Sequence, residues 1–282
     1  MEHFDILIIG GGAAGIAAAK AAQNARVLLV DRKAVLGGIL RQCSHRGFGK
    51  GLTGQEYTND LLEDFPAHIR LALNTTVLSV SANKTALLSG KDFGCREVSF
   101  SQLILAAGCR EIPIGALPIG GTRPRGIYTA GQMQELMNLH GFLPEGPAVI
   151  LGSGDLGLIL ANQLAEAGIF VTLVEQNDRC GGMTRNQRCL QQYPIRLLCS
   201  DTIANIHGYP NLTGCTTRNG AYIPCKTLLI AVGLRPEREL VMGLEHPDWL
   251  HICGNCHRVH PMVESVIEEG KQAGFAAYEH TR

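Results

Sequence analysis

Cys253, Cys256 and His257 follow one another as C-x-x-C-H inside "HICGNCHRVH", residues 251–260, and side chains of these types at this spacing can do four kinds of chemistry. A CxxCH attaches haem through its two sulfurs, a bare CxxC is a redox dithiol, and two thiolates with flanking imidazoles hold zinc. In the fourth case the Gly254–Asn255 pair does the work and the thiols only pack. The spacing leaves all four open, and the choice depends on what the rest of the chain is built to bind.

A second chemistry is written twice in glycine. "FDILII" is a short apolar run fit for a buried parallel strand. Gly10, Gly12 and Gly15 follow as GxGxxG, "AAGIAAAKAAQNA" continues as a small-residue helix, and a second strand, "RVLLVD", ends in Asp31. In such a unit the first glycine permits a tight turn, the second lets a pyrophosphate approach the backbone, and the third lets helix and strand pack, while the helix N-terminus meets the anion. Asp31 stands 21 positions after Gly10, close to the ~20 at which an acid reaches the ribose hydroxyls. The pattern recurs in "PAVILGSGDLGLILANQLAEAGIFVTLVEQ", where Gly152, Gly154 and Gly157 open an amphipathic helix and Glu175 closes the next strand 23 positions after Gly152. A carboxylate in this place accepts from a 2′-hydroxyl and repels a 2′-phosphate, so Glu175 favours NAD, while Arg179 keeps NADP open.

These loops need strands to hold them. "SQLILAAGCRE" (101–111) and "KTLLIAVGLRPE" (226–237) are each an apolar strand ending in Ala-x-Gly, expected as the edge or closing member of each nucleotide-binding sheet. The polar alternation of 68–90 predicts antiparallel strands. Residues 121–146 read as a Pro/Gly-rich interdomain connector around one short helix, and 236–250 as a second connector. "PMVESVIEEGKQAGFAAYEH" predicts a final helix with Pro261 near its first turn and an apolar stripe through Met262, Val266, Ile267 and Phe275.

Composition agrees with a small-molecule partner. Lys plus Arg and Asp plus Glu are 25 each, so no basic footprint for nucleic acid or an anionic membrane exists. The 34 glycines in 282 residues exceed the ~7% of an average protein and require a backbone reason. Ten scattered cysteines suit a reducing cytoplasm. The apolar start lacks a basic flank, and its uncharged run from Ile6 to Ala19 is too short to span a bilayer, so no membrane span is expected.

With "LGGILRQCSHRGFG", "LTGQEY", "AAGCRE", "GTRPRGIYTAG", "ILGSGDLGLI", "GGMTRN" and "CGNCHRVH" in this order, the chain resembles flavoproteins with two dinucleotide-binding domains. This is the pyridine nucleotide-disulfide oxidoreductase superfamily. Within it the words look like the FAD/NAD-binding subunits of sarcosine oxidase, opine oxidase, hydrogen cyanide synthase and glycerol-3-phosphate-oxidising systems. The resemblance implies an α/β fold of two Rossmann-like three-layer domains, the NAD domain (116–240) inserted into a split FAD domain (1–115 and 241–282). It places FAD against Gly10, Gly12, Ala14, Gly15, Asp31 and Arg32, then Gly37, Gly38 and Ile39. Further FAD contacts would come from Thr76–Val77, Ala107–Gly108, Gly254, Asn255 and Val263. NAD(H) would lie on Gly152, Gly154, Asp155, Leu156, Gly157 and Glu175, with Val232 and Gly233 beside it. In the superfamily Gly-Asp ends the strand before the last helix; here Gly254–Asn255 stands there, uncharged, and Cys253 becomes a core residue of the strand. The last helix would point its positive end at the flavin.

Two departures matter. The superfamily's redox CxxC is absent from both of its usual places; after Gly37–Gly38 comes the single Cys43, with His45 two residues on, and the resemblance offers these two as catalytic residues on the flavin face. The segment between "VGLRPE" and "CGN" is short. The expected activity is hydride transfer between nicotinamide and FAD, in a subunit of an amine or hydroxy-acid dehydrogenase or oxidase whose partner flavoprotein meets the substrate, within a homo- or hetero-oligomer. The alternatives are a non-catalytic nucleotide-binding protein for assembly or regulation, and a stand-alone reductase of a small disulfide or quinone.

Overall fold

The structure, a computed structural model, describes residues 1–244 and 247–282. Glu245 and His246, within the connector expected over 236–250, lie outside the described residues. The chain forms two compact units, Met1–Arg110 with Arg235–Arg282, and Glu111–Leu234. Both junctions fall a few residues before the expected ones, and hydrogen bonds explain why. Glu111 Oε1 accepts the Gly131 N–H at 2.7 Å, tying residue 111 to the helix Ala130–His140 of the second unit. Arg238 donates to the carbonyls of Cys256 and His257, tying its segment to the first.

In the first unit, "VLLV" at Val27–Val30 is buried throughout because parallel strands are covered on both faces. The sheet runs Arg70–Ala72, Val27–Val30, Glu2–Ile9, Gly94–Leu105, Thr85–Gly90, Thr75–Ser81, and Leu250–Ile252 pairs in parallel with the far end of Gly94–Leu105. Residues 75–90 form the expected antiparallel hairpin, whereas Arg70–Ala72 pairs parallel with Val27–Val30. The second unit has a parallel five-stranded sheet in the order Arg196–Leu198, Val171–Val174, Ala148–Leu151, Thr227–Ile230, Ile127–Thr129, and a separate four-stranded sheet.

Two expectations are corrected by the strand pairing. Residues 121–146 are not a connector: Ile127–Thr129 pairs with Thr227–Ile230 and leads directly into the helix Ala130–His140, so the segment is a strand–helix piece of the second unit. Its glycines serve turns, Gly121 and Gly126 having φ of +87° and +104°. The Ala-x-Gly strands are interior, not edge or closing strands. Gly94–Leu105 has Glu2–Ile9 on one side and Thr85–Gly90 with Leu250–Ile252 on the other, and Thr227–Ile230 lies between Ala148–Leu151 and Ile127–Thr129. Their uniformly apolar ends are covered on both faces and flanked on both edges.

The final helix spans Val263–Glu279, with Pro261 just ahead of it. Its buried residues are Gly270, Ala273, Gly274 and Ala277; of the large-residue stripe expected from the sequence, Val266 packs partly buried against the core and Ile267 is half-buried, whereas Met262 and Phe275 face outward, the latter 49% exposed. A Cβ on Gly270 would be driven into the Ala14 carbonyl and one on Gly274 into that of Ala18. The small-residue helix Ala13–Ala21 therefore meets the last helix backbone to backbone. Gly270→Leu should lower stability by about 1–3 kcal/mol through overpacking. Phe275→Ser should change it by less than about 0.5 kcal/mol. Urea unfolding of the two variants checks the assignment of faces.

Candidate functional site

At the first glycine loop three backbones meet. Gly10 has φ +106°, a Cβ on it would enter the Ala106 carbonyl, and one on Gly15 would enter the Gly10 carbonyl. First strand, helix and the strand Gly94–Leu105 thus touch at one point that only small residues permit. Gly12 is different, because nothing lies within 4 Å of its missing Cβ. It caps the helix Ala13–Ala21 without any side-chain cap and with no acid in the first turn. Open space above an uncapped helix start fits a pyrophosphate, which packing alone does not explain.

Asp31 backs this loop: Oδ2 accepts the Gly11 N–H at 2.6 Å and Oδ1 the Lys33 N–H at 2.7 Å. A carboxylate has about four acceptor positions, so roughly half remain for ribose hydroxyls. Arg32 beside it is exposed. Gly37 and Gly38, at φ +116° and +55°, fold back over the loop, Gly37 N–H donating to the Gly11 carbonyl at 2.7 Å. Ile39 follows at 61% exposure. Ala107 and Gly108 leave the knot on the exposed side, Ala14 packs beneath against Gly254, and Val77 is half-buried on the antiparallel hairpin.

The second loop repeats the knot. A Cβ on Gly152 would enter the Ala231 carbonyl and one on Gly157 the Gly152 carbonyl, while Gly154 again faces open space at the start of the helix Asp155–Glu166. Val232 and Gly233, the latter at φ +137°, continue past it as Ala107 and Gly108 do. Leu156 packs into the helix–sheet core, and Asp155 Oδ1 accepts from Met183 N at 2.7 Å and Asn186 Nδ2 at 2.6 Å. Glu175 is only 6% exposed. Its Oε2 accepts from Ser153 N at 2.9 Å and Ser153 Oγ at 2.6 Å, and its Oε1 from Asn177 N at 2.9 Å and Nδ2 at 2.8 Å. All of its acceptor positions are taken within the chain, so a ribose hydroxyl has to displace one of these donors. Burial pushes the Glu175 carboxyl upward, but the hydrogen bonds from Ser153 and Asn177 outweigh it and hold the group below the ordinary carboxylate range.

Sequence reasoning missed a further element of the repeat. Gly181–Gly182 stand six positions after Glu175, as Gly37–Gly38 do after Asp31, and they close over the second loop the same way. Gly182 N donates to Ser153 O and Gly181 N to Ser153 Oγ, both at 2.9 Å. The equal spacing is the signal that could have found them.

Most of the cysteine thiols are buried. Cys43 is buried, its thiol reaches the Ile39 carbonyl at 3.4 Å, and burial pushes it up to about 12, so it is a neutral thiol at pH 7. His45 lies with its ring 5.1 Å from that of Phe48. All ten cysteines are free, and among the described residues no three His, Cys, Asp or Glu side chains are placed so that they could hold a metal ion together. Cys253 belongs to the core, its thiol pushed up to about 12 by burial. Cys256 is also fully buried and donates to the Glu237 carbonyl at 2.7 Å. It is a tie between segments, which the spacing alone does not foretell. His257 and His260 are turned to Glu269. Of the four chemistries open to this stretch, the geometry leaves Gly254–Asn255: Gly254 has φ +65°, a Cβ there would come 2.8 Å from that of Ala14, and Asn255 Oδ1 accepts the His260 N–H at 2.9 Å.

Two knots of one design, each with an open middle glycine and a latched acid behind it, define a two-unit dinucleotide-binding oxidoreductase of the FAD/NAD(P) kind. The family model for pyridine nucleotide-disulphide oxidoreductases matches residues 4–252, and the chain belongs to that family. It is similar to the HcnB component of hydrogen cyanide synthase from Pseudomonas aeruginosa, 31% identical over 223 residues that make up 76% of this chain and 47% of that one. An opine oxidase subunit of Agrobacterium tumefaciens is 33% identical over 182 residues, 60% of this chain and 36% of that one. Bilirubin reductase of Mediterraneibacter gnavus is 26% identical over 281 residues, 95% of this chain and 40% of that one. The chain thus spans less than half the length of these curated relatives. Among solved structures, Lactococcus lactis thioredoxin reductase has the same fold, with a TM-score of 0.81 at 18% identity and 99% coverage of both chains. No helix among the described residues is long and apolar enough to cross a membrane.

Glu175→Gln turns an amide N–H₂ toward donors that need an acceptor, and should cost about 1–3 kcal/mol at pH 7. Because the folded carboxyl sits below its unfolded value, its contribution is present above the unfolded pKa and is lost as pH falls through the folded one. The gap between wild type and variant should therefore hold from about pH 7 down to about pH 5 and narrow only below the ordinary glutamate value of ~4.3, as unfolding curves from about pH 7 to about pH 3 would record.

Proposed function

We propose that this chain moves hydride between NAD(H) and FAD, with FAD on the first glycine loop and NAD(H) on the second. We place it as the electron-transfer subunit beside a flavoprotein that oxidises an amine or a hydroxy acid such as a glycerol-3-phosphate-like substrate. The observation that carries the reading is the paired loops, each open only above its middle glycine. When bound, the cofactors supply hydride transfer between nicotinamide C4 and flavin N5. The chain's part is to bind and orient. Asp31 has acceptor positions left for the adenosine ribose of FAD, Gly37–Gly38 bring backbone close to the pyrophosphate and ribityl, and the negative charge at Glu175 disfavours a 2′-phosphate, so NADH is preferred to NADPH.

The partner assignment draws on the printed names of relatives, which are oxidase or synthase subunits. Ten free cysteines suit a reducing cytoplasm. Cys43, held as a neutral thiol without a second sulfur, argues against a thiol relay to a disulfide. One observation favours a second reading: with every acceptor of Glu175 used internally, the second unit could serve assembly and not turnover.

The visible spectrum of the purified protein, followed by anaerobic addition of NADH, decides among these. A flavin spectrum that bleaches, at lower NADH than NADPH, and bleaches equally in Cys43→Ser, is the expected result. A flavin that stays oxidised selects the assembly role, loss of bleaching in Cys43→Ser selects the disulfide reductase, and a protein that takes up no flavin sinks the proposal.

A further inference from the structure

The turn Gly254–His260 joins the strand Leu250–Ile252 to the helix Val263–Glu279, and four of its groups converge on one side chain. Glu269, in the second turn of the helix, accepts the Gly254 N–H through Oε2 at 2.9 Å. Its Oε1 lies 3.2 Å from His257 Nδ1, 3.4 Å from Arg258 Nε and 3.0 Å from His260 Nε2. The His260 approach is close but off the line of a good hydrogen bond, so it is a contact of charge and dipole. Burial pushes the Glu269 carboxyl upward, yet the imidazoles and the Gly254 N–H outweigh it and hold the group below the ordinary carboxylate range. An isolated surface ion pair is worth little. Here one carboxylate gathers a backbone N–H and three side chains from a single short turn, and that fixes the turn's shape.

What the shape presents is Asn255. Its Oδ1 is occupied by the His260 N–H at 2.9 Å, and its N–H₂ has no partner among the described residues. An Asn held this way offers donors where an aspartate could only accept. Below it Gly254 is wedged between Ala14 of the first-loop helix and Val266 of the last, so the turn is registered directly against the first glycine loop.

We infer that Glu269 is the positioning residue of the FAD site: by clamping Gly254, His257, Arg258 and His260 it directs the Asn255 N–H₂ at ribityl or pyrophosphate oxygens of FAD. The inference rests on the proposed FAD assignment of the first loop. Glu269 itself touches no cofactor, and its effect passes through Asn255.

The test compares wild type with Glu269→Ala, Glu269→Gln and Ala277→Gly, the last loosening the same helix far from the turn. In the apoprotein, the Gly254 and His260 amides are protected from hydrogen exchange in wild type and lose protection in Glu269→Ala. FAD added to apoprotein then binds about tenfold more weakly to Glu269→Ala, with Glu269→Gln between the two, while Ala277→Gly stays within about twofold of wild type. Unchanged exchange and affinity in Glu269→Ala, or an equal loss of affinity in Ala277→Gly, overturns the positioning role. Wild type that binds no FAD overturns the FAD assignment and the inference together, a result told apart by the missing flavin in the wild-type control.

Discussion

The structure depends on a place where three main chains come too close for any side chain. The carbonyl of Gly10 fills the volume that a Cβ on Gly15 would need, and the carbonyl of Ala106 fills the volume of one on Gly10. This contact sets the helix Ala13–Ala21 hard against its strand, aims its first turn at open space, and forces the crossing strand to end in small residues. The second unit obeys the same constraint with Gly152, Gly157 and Ala231. Building it twice and packing the last helix through Gly270 and Gly274 account for part of the high glycine content of the chain, and turns at positive φ for much of the rest.

That constraint also explains which parts are legible in the sequence. Glycine loops, following strands and terminal acids are read from order and spacing because each position has a separate steric reason. The Ala-x-Gly strands are recognisable as strands but not as interior ones, since an apolar run reports burial without saying how many neighbours it has. The last helix misleads in another way. Hydrophobic periodicity weights large residues, whereas a helix that docks on another's backbone hides glycine and alanine and leaves Phe275 outside. The 121–146 segment reads as linker because its turn residues outweigh a three-residue strand.

Among the candidate site residues, the acids behave differently from one another. Asp31 and Glu175 occupy matching places, yet one keeps room for a ligand and the other is saturated by Ser153 and Asn177. A serine in place of Gly11 and an asparagine in place of Lys33 supply the two extra donors; both replacements are written in the sequence, but only coordinates show that both side chains turn to Glu175. The cysteine motif is the reverse case. Its spacing invites three chemistries, but in the fold both thiols are buried, Cys253 in the core and Cys256 donating to the Glu237 carbonyl, so they pack and tie segments.

The second unit enters and leaves the chain at neighbouring points. Ile112 N–H meets the Gly233 carbonyl at 3.2 Å on its own side, and Glu237 N–H meets the Gly108 carbonyl at 3.0 Å on the host's side. Both breaks in the host are therefore a single locus, and the entropy of closing a loop across it rises only slowly with the length of what is inserted. The unit has the topology of a cassette: a duplicated gene segment could lodge there, be exchanged for another, or diverge in ligand preference, with the host's own sheet and its glycine knot left intact.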